Sequence, residues 1–399
     1  MIPSHEGGAL SDRLAIALLS HLASPLAPTG AERSLSLLAS GLHARGQRIA
    51  VAVPGPWVEA DRLRSTGIDV RTIPCRSCWL AYHDPRPWCV ALGKWLRYAA
   101  PQRATGDLRR FVEELRADVV HVNCLPHLRG ARAAAAARRP VVWHVREILP
   151  AGPRRRWWSR RLGRHATAIV AVSEAVAGWL RDEGLGGRLH VIPNGVETRA
   201  VAAGEAAEAR ARLGLPGDGV LIGLFGQLAP HKGALEFVAA ARHAWARAPE
   251  LRFAIAGSGP VPFRRRVRRA IDASGCAERF HLLPPQPAGE ALAAASDAVC
   301  LATRTPDPLP RAALEAMAAG RPVVAFRCGG IGELVREGET GLLAAPGDVE
   351  ALGDGFVRLA QDGALRAALG RAGARRAREE FSLERHVERM LALFRSLAR

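Results

Sequence analysis

Short, unbroken apolar runs alternate along this chain with longer segments of helical period. Leu14-Ala15-Ile16-Ala17-Leu18-Leu19 is continuous rather than alternating, as a strand covered on both faces of a parallel sheet is. Residues 20–29 follow as a loop, and Gly30-Ala31-Glu32-Arg33 opens a helix carried to about Arg45. Strands are expected at 48–53, 69–73, 118–123 and 141–147, with a helix over 127–138 between the last two. The run 168–172 passes into a helix capped by Ser173, and 189–196 contains the turn signature Pro193-Asn194-Gly195. The same alternation then restarts with strands at 220–226, 251–256, 280–283 and 298–301, and a helix after Pro310. Repeated βα units predict the α/β class, with two Rossmann-like, doubly wound parallel sheets. The expected domains are 1–197 and 198–380, followed by a helix over 381–399 with apolar positions at Val387, Met390, Leu391 and Phe394.

One stretch breaks the alternation. Residues 76–101 carry Trp79, Trp88, Trp95, several arginines and three prolines, and read as an acceptor-side loop with an amphipathic helix, or as a plain surface excursion. The length of 399 residues allows two or three domains, and an apolar content of 48% indicates globular cores. No run approaches about twenty apolar residues, so no spanning helix is expected. The first twelve residues lack a basic start followed by an apolar stretch, which argues against a signal peptide and for the cytoplasm. Seven cysteines then read as reduced thiols. Cys75, Cys78, His83 and Cys89 fall one residue off a zinc-knuckle spacing, but the intervening residues do not resemble a knuckle, and no metal is expected.

The net charge of +18 is almost all arginine, since Lys94 and Lys232 are the only lysines. Arg154-Arg155-Arg156-Trp157-Trp158, with Arg160, Arg161 and Arg164, suits an anionic membrane surface, a nucleic-acid backbone or a solvated helix face. The membrane reading would place the protein peripherally on the inner membrane face. The basic clusters lack interleaved recognition motifs, so a nucleic-acid partner is not expected.

The chemistry concentrates in Thr305-Pro306-Asp307-Pro308-Leu309-Pro310-Arg311-Ala312-Ala313-Leu314-Glu315. Pro310 suits a first helical position, and the amides from Arg311 on would face a bound anion. Asp307 then stands in the loop and Glu315 about one and a half turns into the helix. A ligand with a phosphate in the middle and hydroxyls at both ends, such as a nucleotide sugar, fits between them.

This segment, with Arg321-Pro322-Val323-Val324 and Gly329-Gly330-Ile331-Gly332-Glu333-Leu334-Val335, resembles the E-x7-E region of the retaining family-4 glycosyltransferases of GT-B architecture. The resemblance implies two domains facing across a cleft, a UDP- or GDP-linked sugar donor, and a glycan or lipid-linked hydroxyl acceptor. It implies that Asp307 approaches the transferred sugar and Glu315 the nucleotide ribose, with Leu309, Pro310 and Arg311 also on the donor. Asp307 departs from the usual Glu by one methylene. Thr29-Gly30-Ala31-Glu32 resembles the family's Gly-Gly-Ala-Glu loop, which places Gly30 over the donor phosphates. In Gln227-Leu228-Ala229-Pro230-His231-Lys232-Gly233 the diphosphate clamp keeps Lys232 but has Gln227 where Arg is commonest. Asn123, His144 and Glu147 fall at strand ends of the first domain and read as acceptor-side groups, with His144 a candidate for bonding sugar or acceptor.

No Asp-x-Asp is present to hold a divalent metal, so Lys232 and fixed amides would carry the leaving-group charge. The resemblance implies that the anomeric configuration is retained, and since no first-domain carboxylate stands out as a nucleophile, a front-side, ion-pair-like displacement is expected. Gly257-Ser258-Gly259 lacks the third glycine of a dinucleotide fingerprint. The alternatives are a sugar-nucleotide epimerase or phosphorylase of similar build, and a catalytically impaired scaffold binding nucleotide sugar or membrane.

Overall fold

The computed structural model describes residues 13–78, 103–198, 204–284 and 289–398. Two compact units are present, one of Met1–Pro193 with Glu384–Arg399 and the other of Asn194–Leu383.

The first unit is built on seven parallel strands: β1 (Ala15–Ser20), β2 (Arg48–Val53), β3 (Asp69–Thr72), β4 (Val119–Asn123), β5 (Val141–Val145), β6 (Ala168–Ala171) and β7 (Leu189–Val191). Their order is β3-β2-β1-β4-β5-β6-β7. The continuous apolar runs occupy the centre, where every residue of β1, β4, β5 and β6 is buried, while the edges β3 and β7 are partly exposed. The winding reverses between β1 and β4, whose register pairs Ser20 with Asn123. Loops leaving a doubly wound sheet at such a reversal diverge and leave a crevice.

The second unit repeats the plan with β8 (Val220–Phe225), β9 (Leu251–Ala256), β10 (Phe280–Leu283), β11 (Ala298–Leu301), β12 (Val323–Phe326) and β13 (Gly341–Ala344). Their order is β10-β9-β8-β11-β12-β13, all parallel, with the reversal between β8 and β11. Phe237, Phe253, Phe280 and Phe356 form a ring cluster against this sheet, with Phe253 and Phe280 stacked at 5.0 Å. Burying one such ring contributes about 2 kcal/mol.

The helix Leu383–Leu397 buries Val387, Met390, Leu391 and Phe394, the positions its apolar rhythm marked. In the first unit, Phe394 packs edge-on to His121 at 6.2 Å, and His386 Nδ1 lies 2.6 Å from the carbonyl of Pro193. One helix boundary moves from its expected place. The helix Arg311–Ala318 has Pro310 as its N-cap, with ψ 119, rather than as its first helical residue. Residues 79–102, with Trp79, Trp88, Trp95, His83 and Cys89, lie outside the described residues.

Candidate functional site

In the second unit the groups of interest leave β8 and β11, the two strands flanking the reversal. After β8 the chain turns through Gln227, which is exposed, into a single turn Pro230–Lys232. Lys232 Nζ lies 2.6 Å from Asp307 Oδ2 in the loop after β11. The carboxylate is nearly covered, with 10% of its side chain exposed, while the lysine side chain retains 34%. An ammonium has three donors, and Asp307 engages one of them.

Backbone contacts fix this pair. Gly330 N donates to the Asp307 carbonyl at 2.8 Å, and Gly329, at φ 62, lies so close that a Cβ would stand 2.3 Å from the same oxygen. Gly233 follows Lys232 at φ 82, and a Cβ there would meet the Ala302 carbonyl oxygen at 1.8 Å. Gly233→Ala therefore combines left-handed strain with a clash against backbone that cannot swing aside. We expect it to destabilise the second unit by roughly 2 kcal/mol or more, read as a lower thermal midpoint.

Arg311 and Glu315 form a second pair one helical turn apart. Arg311 Nε donates to Glu315 Oε1 at 3.1 Å with both side chains buried, and Arg311 Nη1 donates to the carbonyl of Gly195 at 3.2 Å. Leu309 and Pro310 are buried ahead of the helix. The first amides of a helix lack intrahelical acceptors, so those of Arg311 and Ala312 are suited to an anion. The sequence suggested two acids open to a ligand. In the structure each acid engages a cation: Asp307 holds Lys232, and Arg311 holds Glu315. His231, beside Lys232, is kept below the usual imidazole range by burial and then by the neighbouring ammonium, against the opposing pull of Asp307.

In the first unit, Gly30 is the exposed first residue of the helix Gly30–Ala44. Its neighbour Thr29 is the helix cap in a capping box with Glu32. The buried Glu32 carboxylate accepts from Ser24 N at 2.7 Å, Ser24 Oγ at 2.8 Å and Thr29 N at 2.8 Å, so one side chain closes the loop between β1 and this helix.

Asn123, at the end of β4, donates to the Ala31 carbonyl at 3.2 Å and accepts from Arg146 Nε at 2.9 Å. His144 has no exposed surface. Its Nδ1 lies 3.1 Å from His121 Nε2 and 3.5 Å from Arg146 Nη2, so it sits inside the unit as a link between β4 and Arg146. Burial, then the charge of Arg146, holds its imidazole well below the ordinary range and therefore neutral. Glu147 accepts from the amides of Leu125 at 3.1 Å and Arg146 at 2.9 Å, and burial pushes its carboxyl up to about 7.

Three neighbours at these strand ends escaped the sequence reading: Arg146, His21 and His127. Burial lowers His21 to about 3 and His127 to about 4. The signal for Arg146 was its place two residues after His144, on the same side of an extended segment.

The Arg/Trp segment forms the helix Pro153–His165. Trp158 is fully buried edge-on to Trp143 at 6.2 Å, Trp157 is capped by Arg161, and Arg155 pairs with Asp182 and Glu183. Both tryptophans are thus engaged within the unit. Among the described residues no group of three or more His, Cys, Asp or Glu could hold a metal ion, and no helix is long and apolar enough to cross a membrane.

The family described as Glycosyltransferase Family 4 matches residues 28–200, and that described as Glycosyl transferases group 1 matches residues 219–362. The D-inositol 3-phosphate glycosyltransferase of Acidothermus cellulolyticus is 36% identical over 219 residues, 52% of this chain and 48% of that protein. The 2-deoxystreptamine N-acetyl-D-glucosaminyltransferase of Streptomyces fradiae is 35% identical over 203 residues, 49% of this chain and 47% of that protein. The chain thus spans about half the length of these curated relatives. Among solved structures, Anabaena Alr3699/HepE in complex with UDP and glucose superposes with a TM-score of 0.81 at 23% identity, covering 96% of this chain and all of that one. Sucrose-phosphate synthase from Thermosynechococcus elongatus gives 0.74 at 20%, covering 96% and 98%. At these identities the structural likeness is one of fold.

Proposed function

Because this chain belongs to the family-4, group 1 glycosyltransferases of GT-B architecture, we propose that it moves a sugar from a nucleotide-sugar donor to a hydroxyl acceptor, without a metal and with retention of anomeric configuration. The observation that carries this reading is the Lys232–Asp307 pair, held at the sheet reversal just ahead of the helix start at Arg311. Lys232 and the amides of Arg311 and Ala312 offset the growing charge on the leaving diphosphate as donors already in place. Asp307 meets the transferred sugar, and Glu315, oriented by Arg311, meets the nucleotide ribose. The acceptor hydroxyl attacks from the face the diphosphate leaves, and its proton passes to the departing phosphate oxygen.

A UDP- or GDP-linked sugar fits this arrangement, and Anabaena Alr3699/HepE, a neighbour in fold, is described in complex with UDP-glucose. The acceptor we propose is a glycan or lipid-linked hydroxyl, with the protein in the cytoplasm and peripheral to the membrane. Asn123, His144 and Glu147 would shape its side of the reaction, His144 by fixing Arg146 and Asn123 from within.

A second reading, a scaffold that binds donor without turning it over, draws support from the exposed Gln227 and from the pairing of both acids with cations.

A thermal-shift screen against UDP- and GDP-sugars tests both. A fitting donor at about a hundred times its Kd should stabilise the protein by about 2.7 kcal/mol, and Glu315→Ala should erase the shift. Release of free nucleotide in the presence of that donor separates enzyme from scaffold. If no nucleotide sugar moved the midpoint, the proposal would fail.

A further inference from the structure

The helix Val261–Asp272, between β9 and β10, carries a charge arrangement that the donor chemistry does not use. Its sequence is Val261-Pro262-Phe263-Arg264-Arg265-Arg266-Val267-Arg268-Arg269-Ala270-Ile271-Asp272. Phe263, Val267 and Ile271, four positions apart, are buried and attach the helix to the sheet. Arg264, Arg265, Arg266, Arg268 and Arg269 are all exposed. At about 100° per residue they span roughly 200° of the helix surface, its whole outward face.

Several arginines elsewhere in this unit find acids: Arg252 pairs with Asp218, Arg247 with Asp354, and Arg336 with Glu339 and Glu380. None of the five on this helix has such a partner among the described residues. Like charges at one- to five-residue spacing repel, and this helix offers only Asp272, at its far end, to relieve them. The face therefore favours an external polyanion.

We infer that this face docks on anionic lipid headgroups. Arginines fanning over so wide an arc ask for counter-charges that can rearrange around a convex surface. Mobile headgroups do so, whereas the phosphates of a duplex hold fixed positions. The inward residues are committed to the core, and no aromatic or amide side chain stands on the outward face to read bases. Val261, 55% exposed beside Pro262, adds an apolar contact at the helix start that suits a bilayer interface. On the helix Pro153–His165, by contrast, Arg155 is paired and Arg161 covers a tryptophan, leaving Arg156, Arg160 and Arg164 exposed.

The test sediments the full chain with vesicles of phosphatidylcholine alone and with about 30% phosphatidylglycerol, at about 0.1 M salt. Wild type should pellet with the anionic vesicles only, and release as salt is raised. Replacing all five arginines, R264Q/R265Q/R266Q/R268Q/R269Q, should lower partitioning at least a hundredfold, since each basic residue contributes about fivefold. The variant R156Q/R160Q/R164Q should stay within about threefold of wild type on the same scale. The five-site variant should keep its melting temperature and its response to nucleotide sugars, so failure here leaves the donor reading standing, and failure of the donor reading leaves this one. Equal binding to both vesicle types, or unchanged partitioning in the five-site variant, would overturn the inference. Tighter capture by duplex DNA than by anionic vesicles at the same salt, lost with the five arginines, would overturn it in favour of a nucleic-acid surface.

Discussion

Lys232→Met is expected to lower kcat/KM for transfer by about a thousandfold, the upper range for loss of a preorganised donor at a developing charge. Two effects act together. The only lysine ammonium among the described residues disappears from the proposed diphosphate site, leaving neutral amides to offset the leaving group. Asp307, with its side chain 10% exposed, also loses its partner and becomes a nearly covered carboxylate without a counter-charge. Lys232→Arg keeps the charge, but puts a larger, planar guanidinium in place of a compact ammonium that sits 2.6 Å from Asp307, so we expect about a tenfold loss. The measurement is steady-state kinetics with the nucleotide sugar that gives the largest thermal shift. If Lys232→Met kept more than a tenth of wild-type activity, Lys232 would not be the group that carries the diphosphate charge.

Pairing is the part of this site that the sequence conceals. Lys232 and Asp307 are 75 positions apart, and their contact follows from the strand order, which sets β8 beside β11 although β9 and β10 intervene in the chain. The Arg311–Glu315 pair was within reach, since residues four apart on a helix share a face, but Arg311 read in sequence as a group on the donor rather than as the partner of Glu315. Thr29 stood out in sequence as a departure from a glycine, and in the structure it is the cap of a helix whose Glu32 closes the preceding loop. Trp157 and Trp158 read as a surface feature because charge surrounds them, but one is core and the other lies under Arg161.

The central strands were legible for the opposite reason. A strand buried on both faces must be largely apolar, and β1, β4, β5 and β6 are so but for the buried Ser20, His121, Asn123 and His144. Edge strands have no such constraint. β3 is Asp-Val-Arg-Thr with only Val70 buried, and was found from its place in the alternation. The five arginines of the helix Val261–Asp272 could be counted in the sequence, but that they lack acidic partners among the described residues is a property of the folded surface.

The two ion pairs make opposite demands on a nucleotide, and Asp307→Ala separates them. The Asp307 carboxylate holds one donor of Lys232 and partly cancels its field. A nucleoside diphosphate without sugar must bind against that competing anion and gains nothing from Asp307 in return. Removing the carboxylate should therefore tighten the binding of free nucleoside diphosphate by about three- to tenfold, the scale of a partly exposed ion pair. Transfer should fall by at least about a hundredfold in the same variant, because the contact proposed for Asp307 is to the sugar and strengthens as the glycosidic bond breaks. Asp307→Glu restores the commoner acid of the family with one more methylene, and should retain the Lys232 contact while shifting preference among donor sugars. The decisive comparison is calorimetric affinity for the nucleotide against kcat/KM for transfer. Were both to fall together in Asp307→Ala, the carboxylate would be acting only to hold Lys232 in place. A rise in one with a fall in the other requires that Asp307 touch the sugar.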